Sequence, residues 1–133
     1  MVKVGFICVH NSCRSQMAEA IATMKASDVF ISYSAGTHTN RGINEDANAI
    51  IIEYYDYDMK KLQQVNHIDE LPVLDIVVTM GCNVSCPHIK SQYRFDWGLD
   101  DPSGKGKEAF EVTVKAIEKN VLALKEWIIK AAI

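Results

Sequence analysis

Positive charge is in short supply along this chain. Lysine and arginine total 14 against 17 aspartates and glutamates, for a net charge of −3. That balance excludes a general nucleic-acid binder, which needs a basic face for the phosphate backbone. Long apolar runs are also missing, and none approaches the ~20 residues of a membrane-spanning helix. With only three prolines and seven glycines in 133 residues, no linker or low-complexity tract interrupts the sequence, and no repeat is visible. One domain over residues 1–133 is therefore expected. The start of the chain, Met1-Val2-Lys3-Val4-Gly5-Phe6-Ile7, carries no cleavage signal. A cytoplasmic home follows as an expectation, with no membrane and no nucleic acid as partner, and a monomer as the state. Cysteine is sparse as well: Cys8, Cys13, Cys82 and Cys86. In a reducing compartment four such residues do not read as a disulfide framework.

What is present suffices for a core. Apolar residues make up 48% and charged residues 23% of the chain. A domain of this length buries roughly two-thirds of the surface its unfolded chain exposes, and needs no covalent staple. Lys3 to Val9 is an apolar, β-branched run and predicts a buried strand. A helix is predicted over 14–26, with Met17, Ala20, Ile21 and Met24 on one face. Val29 to Ser34 predicts a second strand. Asn44 is a helix cap, followed by an apolar face of Ala47, Ile50, Ile51 and Tyr54. Val73 to Met80 predicts a third strand and Tyr93 to Trp97 a weaker fourth. The clearest helix runs over 103–132, with Phe110, Val114, Ile117, Val121, Leu124 and Ile128 aligned. Alternating strands and helices predict an α/β fold: one three-layer domain, with a four-stranded, mostly parallel sheet flanked by helices. Ligands of such sheets sit beyond the carboxyl ends of the strands. The segments after Ile7, Ser34 and Met80 share that edge.

At the first of these junctions stands Cys8-Val9-His10-Asn11-Ser12-Cys13-Arg14-Ser15. Five residues between Cys8 and Arg14 can wrap a loop whose backbone N–H groups point inward and cradle an anion. The helix beginning at Arg14 adds the partial positive charge of its N-terminus. Arg14 supplies a planar fork for two oxygens. Positive surroundings of this kind favour the thiolate, the nucleophilic form of cysteine. Ser12 and Ser15 are candidate hydroxyl donors to the sulfur or the loop. Asn11 suits a left-handed backbone position.

Cys8 through Ala20 resembles the loop and first helix of the low-molecular-weight protein tyrosine phosphatase superfamily. Ser34-Ala35-Gly36-Thr37 resembles its second signature. Asp100-Asp101-Pro102 resembles its general-acid loop, which implies Asp101 as the acid and Asp100 as the runner-up. The superfamily implies two chemistries. Phosphate esters give a cysteinyl-phosphate that water hydrolyses. Arsenate gives a cysteinyl-arsenate that further thiols must reduce. Thr79 through Pro87, with Cys82 and Cys86, and Tyr93 through Pro102 resemble the thioredoxin-coupled arsenate reductases of that superfamily. This resemblance implies a relay in which Cys8 carries the arseno-adduct, Cys82 bridges to Cys8, and Cys86 bridges to Cys82. It implies no tightly bound cofactor. The implied partners are an arsenate- or phosphate-like oxyanion and an external dithiol reductant, thioredoxin-like or a glutaredoxin or small thiol. The phosphatases follow their acid loop with tyrosines, whereas Asp101-Pro102 is followed here by Ser103-Gly104-Lys105-Gly106. The alternative reading is a phosphatase, with Cys82 and Cys86 as bystanders.

Other residues carry plainer readings. Cys13 is either a second redox thiol or a small core residue. His10 either orients the rim or faces solvent. Cys82, Cys86 and His88 with distant His67 make only half of a paired zinc knuckle, so no metal is expected. Tyr54 is expected to pack, with Tyr55 and Tyr57 at the surface. Trp97 and Trp127 are expected in the core. Asp56, Asp58, Asp69 and Glu70 are expected on a solvated face.

Overall fold

A computed structural model describes residues 1–81 and 89–133 of the chain. Cys82, Cys86 and His88 lie outside the described residues. The element order is β1 (Val2–Ile7), α1 (Arg14–Lys25), β2 (Phe30–Ala35), α2 (Glu45–Tyr55), a short α3 (Met59–Leu62), a 3-10 turn (Ile68–Glu70), β3 (Ile76–Thr79), β4 (Tyr93–Asp96) and α4 (Lys107–Ala131). The strands form one sheet in the order β2-β1-β3-β4, and every pairing is parallel.

Strand alternation splits the apolar residues between two faces. Val2, Val4, Phe6, Phe30, Ile76 and Val78 join the main core. They pack with Met17 and Ile21 of α1, Ile50 and Ile51 of α2, and the stripe of α4. All six apolar positions expected on α4 are buried. Ile7, Ala35, Leu74 and Val77 form a smaller cluster on the opposite face, covered by Ile68, Leu71 and Ile89. Helices, sheet and this thinner cover make the three layers.

Several boundaries differ from expectation. The third strand begins at Ile76, because Val73 is 88% exposed and Leu74 turns down onto the second face. α4 begins at Lys107, because Gly104 and Gly106 hold φ values of 75° and 91°, which a helix cannot use. α2 buries Ala47, Asn48, Ile50 and Ile51, whereas Tyr54 is exposed and donates its hydroxyl to Glu111. Tyr55 and Tyr57, expected at the surface, are partly buried instead, bonded to Glu118 and Gln63. Asn44 does cap α2, accepting from the Ala47 N–H at 2.9 Å. The acidic residues 58, 69 and 70 belong to short turns: Asp58 caps α3, and Asp69 and Glu70 sit in the 3-10 turn, where Glu70 accepts from the His67 N–H. Trp97 and Trp127 stand half-buried against Phe6 and Phe95.

Candidate active site

β1 ends at Ile7, and residues 8–13 turn back over its carboxyl end into α1. Four of the loop carbonyls accept hydrogen bonds from outside the cup or from α1. Val9 O accepts from Thr37 N and His38 N, Ser12 O from Asn44 N, and Cys13 O from Met17 N. Asn11 O accepts from the Gln16 side chain. Among the described residues, no N–H from Val9 to Ser15 donates to a protein acceptor. A loop whose carbonyls are taken by other segments and whose amides remain free has the form of an anion cup. The first turn of α1 adds to it, since Cys13 makes no side-chain cap and no acidic residue follows. Asn11 holds φ at 52°, the left-handed position expected for it.

Cys8 is buried at the floor, with its Sγ 2.9 Å from the hydroxyl of Ser15. Ser15 Oγ itself accepts from Asn11 Nδ2 at 2.8 Å. Asn11 Oδ1 in turn accepts from the backbone N–H of Asn66 at 2.8 Å. A backbone amide can only donate, so the orientation of the Asn11 amide is fixed. Its Nδ2 must donate to Ser15, and when Cys8 is the thiolate, which can only accept, the Ser15 hydroxyl donates to its sulfur.

Arg14 bridges two other segments. Its Nη1 donates to Met80 O at 2.8 Å and to Leu99 O at 2.6 Å. The side-on edge, Nε with Nη2, makes no protein hydrogen bond among the described residues and remains for an anion. Tying β3's end to the chain before Asp100-Asp101 also brings that loop to the mouth. Asp101 lines the cavity together with Cys8, Val9, His10, Ser12, Cys13, Arg14, Arg41 and Ser103. Asp100 does not line it. The Asp101 carboxyl also accepts from the Ser103 N–H at 3.0 Å, so it serves turn and site together. Burial raises this carboxyl. The backbone and side chain of Ser103, then Arg14 and Lys105, outweigh burial and hold it below its ordinary value.

Cys13 behaves as a neutral thiol. Burial pushes it up to about 12; Ser103 and Arg14 oppose this, while Asp101 and Cys8 add to it. Cys13 is thus buried and also lines the cavity with Cys8. His10 is placed at the rim, with Nδ1 3.1 Å from His38 O. Two cavity residues escaped the sequence reading. Arg41 lies in a surface loop without a motif, and Ser103 stands where the sequence predicts the start of a helix. Among the described residues no group of three metal-ligating side chains converges, and no helix is long and apolar enough to cross a membrane.

Known proteins resemble this chain in sequence and fold. Residues 3–132 match the family described as low molecular weight phosphotyrosine protein phosphatase. The chain is similar to arsenate reductase 1 of Staphylococcus epidermidis, at 38% identity over 112 residues, covering 81% of this chain and 83% of the relative. It superposes on a solved arsenate reductase in the phosphate-binding state with a TM-score of 0.85 and 30% identity, covering 96% and 99% of the two chains. A thioredoxin-dependent arsenate reductase of Corynebacterium glutamicum is similar at 25% identity and a TM-score of 0.76, over 98% of this chain and 63% of that one.

Proposed function

The chain belongs to the low molecular weight phosphotyrosine protein phosphatase family, and we propose that within it this protein reduces arsenate to arsenite. The observation that carries this reading is the shape of the mouth. The cavity above Cys8 is about 30 Å³, and Arg41, Ser103 and Asp101 line it where an aryl ester would need an aromatic wall. One water-sized group needs roughly 10–15 Å³ on this measure, so the space suits a small inorganic oxyanion.

In the proposed reaction the amides of residues 9–15 and the side-on edge of Arg14 take the anion's oxygens. Cys8 attacks the arsenic from below, forming a sulfur–arsenic bond, and one oxygen leaves as water. Asp101 protonates that oxygen. Arg14 and Ser103 hold the Asp101 carboxyl low, but an arriving anion engages Arg14 and adds like charge, and both effects raise it. Cys82 then attacks the Cys8 sulfur. The sulfur–sulfur bond forms, the sulfur–arsenic bond breaks, and its electron pair stays on arsenic, reducing As(V) to As(III). Cys86 attacks Cys82 and releases the Cys8 thiolate. Two thiols are oxidised for one arsenate reduced, and an external dithiol restores them. The thioredoxin-dependent relative supports a thioredoxin-like donor.

Ester hydrolysis through a cysteinyl-phosphate uses the same thiol and acid, and the family description favours it as the second reading. One preparation separates the two. Arsenate-dependent NADPH oxidation with thioredoxin and its reductase, strong beside weak p-nitrophenyl phosphate hydrolysis, supports the reductase; the reverse pattern supports the phosphatase.

A further inference from the structure

A buried polar array links the surface to the sulfur of Cys8. Gln16 is fully buried on α1, where an amide side chain must find partners. Its Nε2 donates to Gln64 O at 2.9 Å, to Asn11 O at 3.1 Å and to Asn11 Oδ1 at 3.0 Å. Two of those acceptors are backbone carbonyls, so this end of the amide must be the nitrogen. Gln16 Oε1 is then an acceptor, and Gln63 Nε2 donates to it at 2.7 Å and to Gln16 O at 3.1 Å. That leaves Gln63 Oε1 as an acceptor, which takes the Tyr57 hydroxyl at 2.9 Å. The three amide orientations are each set by a neighbouring backbone group, and the donors run one way, Tyr57 to Gln63, Gln63 to Gln16, Gln16 to Asn11 and Asn11 to Ser15; with Cys8 ionised, the Ser15 hydroxyl donates onward to its sulfur.

We propose that Tyr57, Gln63 and Gln16 are positioning residues for the nucleophile, forming a one-way hydrogen-bond array that holds the Ser15 proton on the Cys8 sulfur. Hydrogen bonds in such a chain polarise one another, and the low local dielectric strengthens the effect at its buried end. The donor sense is stable over the working range, because burial, then Glu19, raise the Tyr57 hydroxyl despite the opposing Thr23 bond. Loop 63–66 also clamps the anion cup mechanically, through Gln64 O on Gln16 and Asn66 N on Asn11. The proposal rests on Cys8 being the nucleophile, but not on which oxyanion it attacks.

Alkylation of Cys8 by iodoacetamide reads the array directly, on the full chain with the modified peptide identified by mass. Gln63→Glu keeps the shape and loses the donor when ionised. It should slow Cys8 alkylation at about pH 7.5 by roughly 10-fold, the lower end of the value of one hydrogen bond to a charged group. The rate relative to the native chain should recover toward about pH 5, where the carboxylic acid can donate again. Tyr57→Phe should slow alkylation as much as Tyr57→Ala does, with smaller loss than Gln63→Glu, and kcat should fall with KM within about twofold. A purely structural role predicts instead that Phe rescues Ala and that Gln63→Glu shows no recovery at low pH. Either result, or native alkylation rates in a folded Gln63→Glu variant, overturns the array. Failure of Cys8→Ser to stop turnover would strike the functional reading itself, which separates the two outcomes.

Discussion

Gly36 and Val9 are in backbone contact: a Cβ built on Gly36 would stand 2.5 Å from the Val9 carbonyl oxygen, and 2.7 Å from that of Cys8. The turn after β2 thus presses on the outer side of the anion cup, and the N–H groups of Thr37 and His38 both donate to Val9 O. Neither neighbour is a side chain that can swing away. Gly36→Ala should destabilise the fold by about 1–3 kcal/mol. Displacing the cup by even ~1 Å should reduce kcat by about 10²-fold. Urea unfolding and steady-state rates on the same variant check both, and a native rate would show that the cup tolerates the shift.

Arg41 faces the cavity and makes no ion pair or hydrogen bond among the described residues. An uncompensated guanidinium at the mouth draws in an anion by roughly 1 kcal/mol in high dielectric. Arg41→Ala should raise KM for arsenate about fivefold and leave kcat nearly unchanged. The difference should shrink in about 1 M salt, where charges at this range are screened. A KM that ignores both the substitution and the salt would remove Arg41 from the binding face.

Asp101 and Asp100 are told apart by place, since only Asp101 lines the cavity. Asp101→Asn should slow turnover by about 10²-fold or more, in the range of a lost general acid, while Asp100→Asn stays near native. Equal losses would mean that the loop, not the carboxyl, is what matters.

Glu19 gives a pH test of stability. Burial raises its carboxyl against the opposing bonds from the Ser34 hydroxyl and backbone, the hydroxyl lying 2.5 Å away. A folded-state value above the unfolded one means that the folded chain holds this proton more tightly. Its contribution is full below about 4.5 and is lost as pH rises through the folded value. Glu19→Gln keeps an acceptor for Ser34 and removes the titration. Its Tm should therefore fall less than that of the native chain as pH rises from about 4.5 to 7. Parallel Tm curves would show that Glu19 titrates alike in both states.

The legible parts of this protein were those fixed by local rules. The six-residue stripe of α4, the Asn44 cap and the left-handed Asn11 follow from helix period, side-chain length and backbone sterics. So did the junction at Cys8, because a strand, a spaced arginine and a helix start coincide there. Other features depend on packing between distant segments. α3 has only four residues, too few for a periodic signal. Gln16 and Gln63 read as surface residues by hydropathy, yet buried Gln16 meets half-buried Gln63 because the chain after α3 folds back over the cup. Tyr54 and Tyr55 exchanged places because α2 ends just there, and a one-residue step rotates a side chain by about 100°.

A single turnover without external reductant tests the cysteine relay most directly. The reduced protein, mixed with excess arsenate, should release about one arsenite per chain and lose two thiols, with peptide mass mapping giving a Cys82–Cys86 bridge and a free Cys8. Release of no arsenite, or a bridge that omits both Cys82 and Cys86, would contradict it.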